Sequence, residues 1–315
     1  MGNRENKLWI MLILLITVLA GCSIKKMAMN SVANAMTGEG SSTVFTGDND
    51  PELVADALPF AIKMYETLLS SIPNHRGLIL QTGSLYIMYA NAFLYVPASM
   101  LSDEEHLKQE FLMKRAKNLY LRGRDILLKG LDRQYPGFLM NLKNKKYKLA
   151  LSKMKKKDVP FLYWGAAGWL GAFAIDPFDM KLGITLPDAS ALMSAVNRLN
   201  SKYKNGAIHE FYISYYGSLP DYMGGNKKKA KEEFLKAMEC VKGKSTSPLI
   251  SYASTVLIDT QNLKEFKAVL KKVIDFDLKK SSENILVNTL NLRKAKWLLN
   301  HIDDLFIETG VKEEE

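Results

Sequence analysis

The sequence predicts an all-α fold, a helical array of antiparallel helix pairs. Three observations point there. Residues 57–93 hold Ala61, Tyr65, Pro73, Gly83 and Tyr86 at successive separations of four, eight, ten and three. Small residues at 61 and 83 let two helices approach, the tyrosines fill the space between them, and Pro73 ends the first helix and opens a turn. Long alternating strand patterns are missing from the chain. The 315 residues are 47% hydrophobic and 24% charged, with only 10 Pro and 20 Gly, which suits a chain that buries a sizeable core.

The N-terminus reads as an address. Arg4 and Lys7 precede thirteen uncharged residues, LWIMLILLITVLA, and then Gly21-Cys22. A basic start, a short apolar core and a small-residue site make a secretory signal over 1–21, too short for a span of about 20 residues. Leu19-Ala20-Gly21-Cys22 resembles the bacterial lipobox. That resemblance implies cleavage before Cys22, a diacylglycerol on its thiol, and acylation of the new amino group. Ser23, where an aspartate would signal inner-membrane retention, suits the outer membrane and a face toward the periplasm. Residues 22–50 read as the lipidated N-terminus and a flexible tether, small, polar and Gly-rich toward its end, with one short helical segment.

The helical domain is expected over 51–310, with a frayed tail at 311–315. Asp50 caps and Pro51 begins a helix to about 71, and its partner runs over about 76–96. The spacing across this pair resembles the tetratricopeptide pattern. Ser102 or Asp103 caps the next helix, to about 133, in which Ala116, Tyr120 and Gly123 repeat the small–aromatic–small spacing. Residues 143–157 hold eight lysines, either a solvated surface or a patch for anionic headgroups. Residues 161–175, FLYWGAAGWLGAFAI, carry no charge and read as a central helix. Three glycines there imply close backbone packing or a cavity wall. Pro187-Asp188 opens a helix to about Tyr203, and the aromatic-rich 207–219 follows. After the turn PDYMGGN, Ala230, Phe234 and Ala237 mark a cryptic repeat unit. A pair over about 247–259 and 261–275 and a long helix over about 281–309 complete the array.

The composition narrows the function. The formal charge is +10, but lysine supplies most of it and the aromatics stand in apolar runs rather than between the cations. That arrangement argues against nucleic acid. With Cys22 assigned to lipid, Cys240 is left alone, so no disulfide within the chain is expected. His75, His106, His209 and His301 make no metal-ligand pair at helical spacing, and His75 suits a cap. Nucleophile-elbow, phosphate-loop and dinucleotide motifs are absent; Gly224-Gly225 opens an exposed helix, and Asp176 and Asp221 suit turns. The expectation is a protein that is not an enzyme and takes no cofactor or metal.

Several blocks occur in order: the lipobox, Ala57-Leu58-Pro59 with SIPNHRGLILQTGSLYIMYANAF, Leu162-Tyr163-Trp164, and YYGSLPDYMGGNKKKAKEEFLKAME. Together, over roughly 19–306, they resemble the T component of the tetratricopeptide-protein-associated tripartite periplasmic (TRAP) transporters. The resemblance implies a lipid-anchored helical array with cryptic repeats, assembled as a homotrimer. The implied partners are a periplasmic solute-binding P component and a permease pair. The implied role is to pass an apolar or amphipathic small ligand to or from the P component. Aromatic clustering nominates Tyr163, Trp164, Trp169, Tyr212 and Tyr216 as cavity residues. The alternatives are a scaffold lipoprotein for envelope assembly with no small ligand, and an envelope hydrolase.

Overall fold

A computed structural model describes residues 24–307 apart from 39 and 42; the signal, Cys22 and the 311–315 tail lie outside the described residues. Every regular element among them is helical. The principal helices are α1 (24–37), α2 (Pro51–Ser71), α3 (Arg76–Tyr89), α4 (His106–Gln134), α5 (Val159–Ile175), α6 (Met180–Asn200), α7 (Ala207–Ser218), α8 (Lys227–Val241), α9 (Ser247–Tyr252), α10 (Leu263–Ile274) and α11 (Ile285–Asn300).

The opening pair forms as its sequence requires. The Asp50 carboxylate accepts from the Leu53 amide at 3.0 Å, with Pro51 in the first turn. α2 ends before the turn holding Pro73, and His75 Nδ1 caps α3 by accepting from the Leu78 amide at 3.1 Å. Tyr65, Gly83 and Tyr86 are buried, and Ala61 is half-buried. Past Tyr89 the helix widens to a π-type turn over Ala90–Tyr95 before Val96–Ala98. Pro97 lacks a donor and crowds the carbonyl four residues back, a conflict that a wider turn relieves.

Four expectations change. Residues 23–50 do not simply hang from the domain. α1 buries Ala33, Tyr65 Oη donates to the Met36 carbonyl at 2.8 Å, and His75 Nε2 meets Asn34 Oδ1 at 3.0 Å. The helix expected from Pro187 starts at Met180 instead. Asp179 caps it, accepting from the Lys181 and Leu182 amides, and burial of Leu182 and Leu186 carries it across Pro187. Asp188 is no cap; buried, it accepts from Lys145 Nζ (2.7 Å) and Tyr147 Oη (2.8 Å). The closing helix stops at Asn300, because the chain turns to bury Phe306 against Phe266, ring centres 4.9 Å apart. The Ser102 side chain also makes no cap bond; a tight turn over Asp103–Glu105 precedes α4.

Glycines decide the centre. A Cβ on Gly123 would lie 2.5 Å from the Gly83 carbonyl oxygen, and one on Gly168 would lie 3.0 Å from the Tyr120 carbonyl. One on Gly171 would strike the Tyr120 ring at 2.5 Å. The backbones of α3, α4 and α5 therefore touch. Their starts and ends are tied by Asp158, which is fully buried and bonded to Arg76 (2.6 Å), Tyr135 Oη (2.7 Å) and the Lys155 amide (2.8 Å).

The array then closes on itself. α5 contacts α7, α7 contacts α8 and α9, α9 contacts α10 and α11, and α11 returns to α2. Leu286 and Leu290 of α11 join the apolar cluster of Leu58, Ile62 and Tyr65, and Arg293 pairs with Glu52. Asn291 Nδ2 donates to Thr246 Oγ1 (3.0 Å) and Ser247 Oγ (3.1 Å), fastening α11 to α9.

Gly123→Ala is expected to destabilise the protein by about 2 kcal/mol, since only backbone movement relieves the clash. Gly183→Ala, whose Cβ would meet nothing nearer than 3.7 Å, is expected to be neutral or stabilising by up to about 1 kcal/mol. Denaturant unfolding of the two variants checks the contrast.

Candidate functional site: an aromatic inner wall

α5 is apolar all round, so its two faces are separated by packing rather than polarity. Gly165 and Gly168 press on Leu128, Ile87 and the Tyr120 backbone. Pro160, Tyr163, Trp164 and Ala167, on the first half of the helix, keep solvent access. They leave an apolar, solvent-accessible stripe on a helix that packs against α3, α4, α6 and α7.

The other helices present matching stripes. Asn91, Tyr95 and Ser99 stay partly open along the continuation of α3, as do Glu210 and Ser214 on α7, Ser251 and Ser254 on α9, and Asn291, Lys294 and Trp297 on α11. Contacts run round the circuit. Tyr120 Oη donates to Asn91 Oδ1 (2.8 Å), and Lys294 Nζ donates to Ser99 Oγ (2.9 Å). Ser251 Oγ donates to Glu210 (3.4 Å), and Tyr163 is close enough to Glu210 to feel its charge. Tyr163 also meets Trp164 edge-on at 5.5 Å and Tyr203 at 5.3 Å. Lys204 Nζ stands 5.1 Å above the Trp164 ring. Both π-type turns, Ala90–Tyr95 and Ala253–Leu257, lie on this circuit, and Ser254 Oγ is buried there without a hydrogen-bond partner among the described residues.

The electrostatics are those of an interior. Burial raises the Glu210 carboxyl to about 7, opposed only in part by the Ser251 hydrogen bond. Burial lowers the Lys294 ammonium to about 8 and also lowers Lys204. It raises the Tyr163 and Tyr203 hydroxyls. Glu210, Lys204 and Lys294 form no ion pair among the described residues.

Of the five aromatics nominated from sequence, Tyr163 and Trp164 stand on this wall. Trp169 does not: it is 6% exposed in the core, donating to Thr185 Oγ1 at 2.9 Å beneath Arg124. Tyr212 and Tyr216 stack at 5.4 Å on the α8 side of α7, away from Glu210, with Lys229 over Tyr216. Sequence reasoning passed over Tyr95, Glu210 and Lys294. Glu210 carried a signal, a single acid inside the aromatic run AIHEFYISYYG; Lys294 carried none, being one of several bases in NLRKAKW. No described helix is long and apolar enough to cross a membrane.

The family described as TRAP transporter T-component matches residues 47–306, and the chain belongs to it. It is an accessory subunit of a TRAP transporter. A Treponema pallidum (strain Nichols) protein described as uncharacterized is 33% identical over 304 residues, covering 92% of this chain and 94% of that one.

The Glu210 environment sets a pH dependence. The folded state keeps the proton to about 7, whereas the unfolded chain loses it near the ordinary 4.5. Its contribution to stability is complete below that ordinary value and lost as pH rises through about 7. Between about pH 5 and 8 the wild type is therefore expected to lose stability relative to Glu210→Gln, on the order of 2 kcal/mol. Thermal melts of both proteins across that range check the slope.

Proposed function

We propose that this chain is the lipid-anchored periplasmic ligand-binding subunit of its transporter. It passes an apolar or amphipathic small ligand to or from a solute-binding P component and performs no chemistry on it. The observation that carries the reading is the solvent-accessible stripe of Tyr163, Trp164 and Ala167 on the least polar helix of the described residues. An apolar ligand shelters its surface there at about 25 cal/mol per Å² of area removed from water.

The anchor rests on the sequence. Leu19-Ala20-Gly21-Cys22 follows an apolar core of signal length, and Ser23 favours the outer membrane. Several acyl chains on Cys22 hold a protein stably on a bilayer, at about 0.8 kcal/mol per buried methylene. The lysines of 143–157 are all exposed, with Leu149 open among them at 62%, so this surface suits anionic headgroups. Leu53, Phe60 and Met64 form an exposed apolar stripe along α2, area that copies of the chain can bury in a homotrimer.

Metabolic labelling with palmitate is expected to mark the wild type and not Cys22→Ser. For the ligand role, native mass spectrometry of the unlipidated protein with its P component is expected to show a complex and a retained small molecule. Trp164→Ala is expected to lower retention at least tenfold with the melting temperature little changed. A complex that forms without any ligand, and is indifferent to Trp164→Ala, would favour a scaffold instead.

A further inference from the structure

The charges on the inner wall are not arranged like the charges elsewhere in the fold. Arg76 is paired with buried Asp158, Lys117 with Asp176 and Asp179, and Lys145 with Asp188. Arg293 takes Glu52, with Nη2 at 3.0 Å from one carboxylate oxygen. The next residue, Lys294, points to the interior and meets no carboxylate among the described residues. Its Nζ donates to Ser99 Oγ at 2.9 Å and lies 4.4 Å from the Trp297 ring centre. Ser99 Oγ spends its own hydrogen on the Val96 carbonyl at 2.8 Å, so its oxygen is an acceptor for the ammonium. An ammonium has three donors. One is satisfied here by the protein, one faces a π cloud, and the third meets no protein acceptor among the described residues.

Taking a cation out of water without a counter-ion is costly. Nothing in the packing demands a lysine at 294, because Asn291, one turn earlier, already fastens α11 to α9. A second cation, Lys204, stands over Trp164 and likewise meets no acid among the described residues. The one acid on the wall, Glu210, accepts from Ser251 on another segment, and burial raises its carboxyl to about 7. Aromatic rings with an unpaired lysine beside them fit an organic anion with an apolar body.

We propose that Lys294, with Ser99 beside it, is the head-group subsite of the inner wall. The ligand it selects is a single-headed amphipathic anion whose apolar body lies along Tyr163 and Trp164. This rests on the ligand-binding reading above and adds to it the class of ligand and the residue that chooses it. A fatty carboxylate and a lysophospholipid phosphate share that chemistry.

The test uses the full mature chain carrying Cys22→Ser, stripped of bound lipid, with two probes of one shape: 11-(dansylamino)undecanoic acid and its methyl ester. The acid is expected to bind at least tenfold more tightly than the ester. Lys294→Met is expected to bring that ratio close to one while leaving ester affinity unchanged, and Lys294→Arg to restore the preference. Circular dichroism and melting curves confirm that the variants fold; loss of a buried unpaired charge is not expected to lower the melting temperature. Displacement of the acid by laurate or by lysophosphatidate, and not by lauryl alcohol, supports an anionic head and separates carboxylate from phosphate. Equal binding of acid and ester, unaltered by Lys294→Met, overturns the head-group assignment and leaves the ligand-binding reading standing. A preference that survives Lys294→Met but disappears in Lys204→Met overturns the choice of residue. Failure of both probes to bind overturns the ligand-binding reading and this inference with it.

Discussion

The structure depends on three backbones held in contact. Gly83 meets Gly123, and Gly168 and Gly171 seat the Tyr120 backbone and ring, so α3, α4 and α5 pack closer than any side chain at those positions would permit. That contact fixes which face of α5 is consumed by the core. Because α5 has no polar face to orient it, glycine placement alone decides that Tyr163 and Trp164 are left on the open side. The inner wall is a consequence of core packing rather than a separate feature set into it.

Closure of the array converts that open side into an interior. Apolar burial does most of the closing: Leu286 and Leu290 of α11 join the cluster built on α2, while the exposed Arg293–Glu52 pair adds little, as surface ion pairs do. Once closed, the space has a dielectric character its residues report. A glutamate there holds its proton to about 7 and a lysine begins to release its own near 8, although both keep some exposure. The outer surface shows the reverse pattern. Its lysines are numerous and exposed, and those that meet acids do so in ordinary ion pairs. The chain's positive charge therefore has two different settings, one screened by solvent and one enclosed.

Local chemistry in the sequence was legible wherever one residue acts on its neighbours. Asp50 with Pro51 and His75 before α3 cap their helices as their types imply, and Ala230, Phe234 and Ala237 are buried along one helix. The readings that changed involve competition between distant parts. Pro187 looked like a start because proline usually is one, but Asp179 offered a better cap eight residues earlier and the core supplied reasons to continue. The last helix looked longer because its apolar spacing persists past Asn300, yet Phe306 gains more by turning toward Phe266. Trp169 looked like Trp164 in sequence, and five residues of helical rotation put it on the opposite side.

The sequence by itself determined the helical class, the order of the helices, most of their boundaries and membership of the TRAP T-component family. These follow from period, caps and motif blocks, which are local or additive along the chain. Only the tertiary structure decided which aromatics share a space and which charges are enclosed without partners. Tyr95, Tyr163, Glu210 and Lys294 lie on four different helical segments, related to one another only through contacts such as α5 with α7 and the return of α11 to α2. No spacing along the chain encodes that return. It is set by the sum of packing angles through the array, and each of those depends on how closely two backbones are allowed to approach.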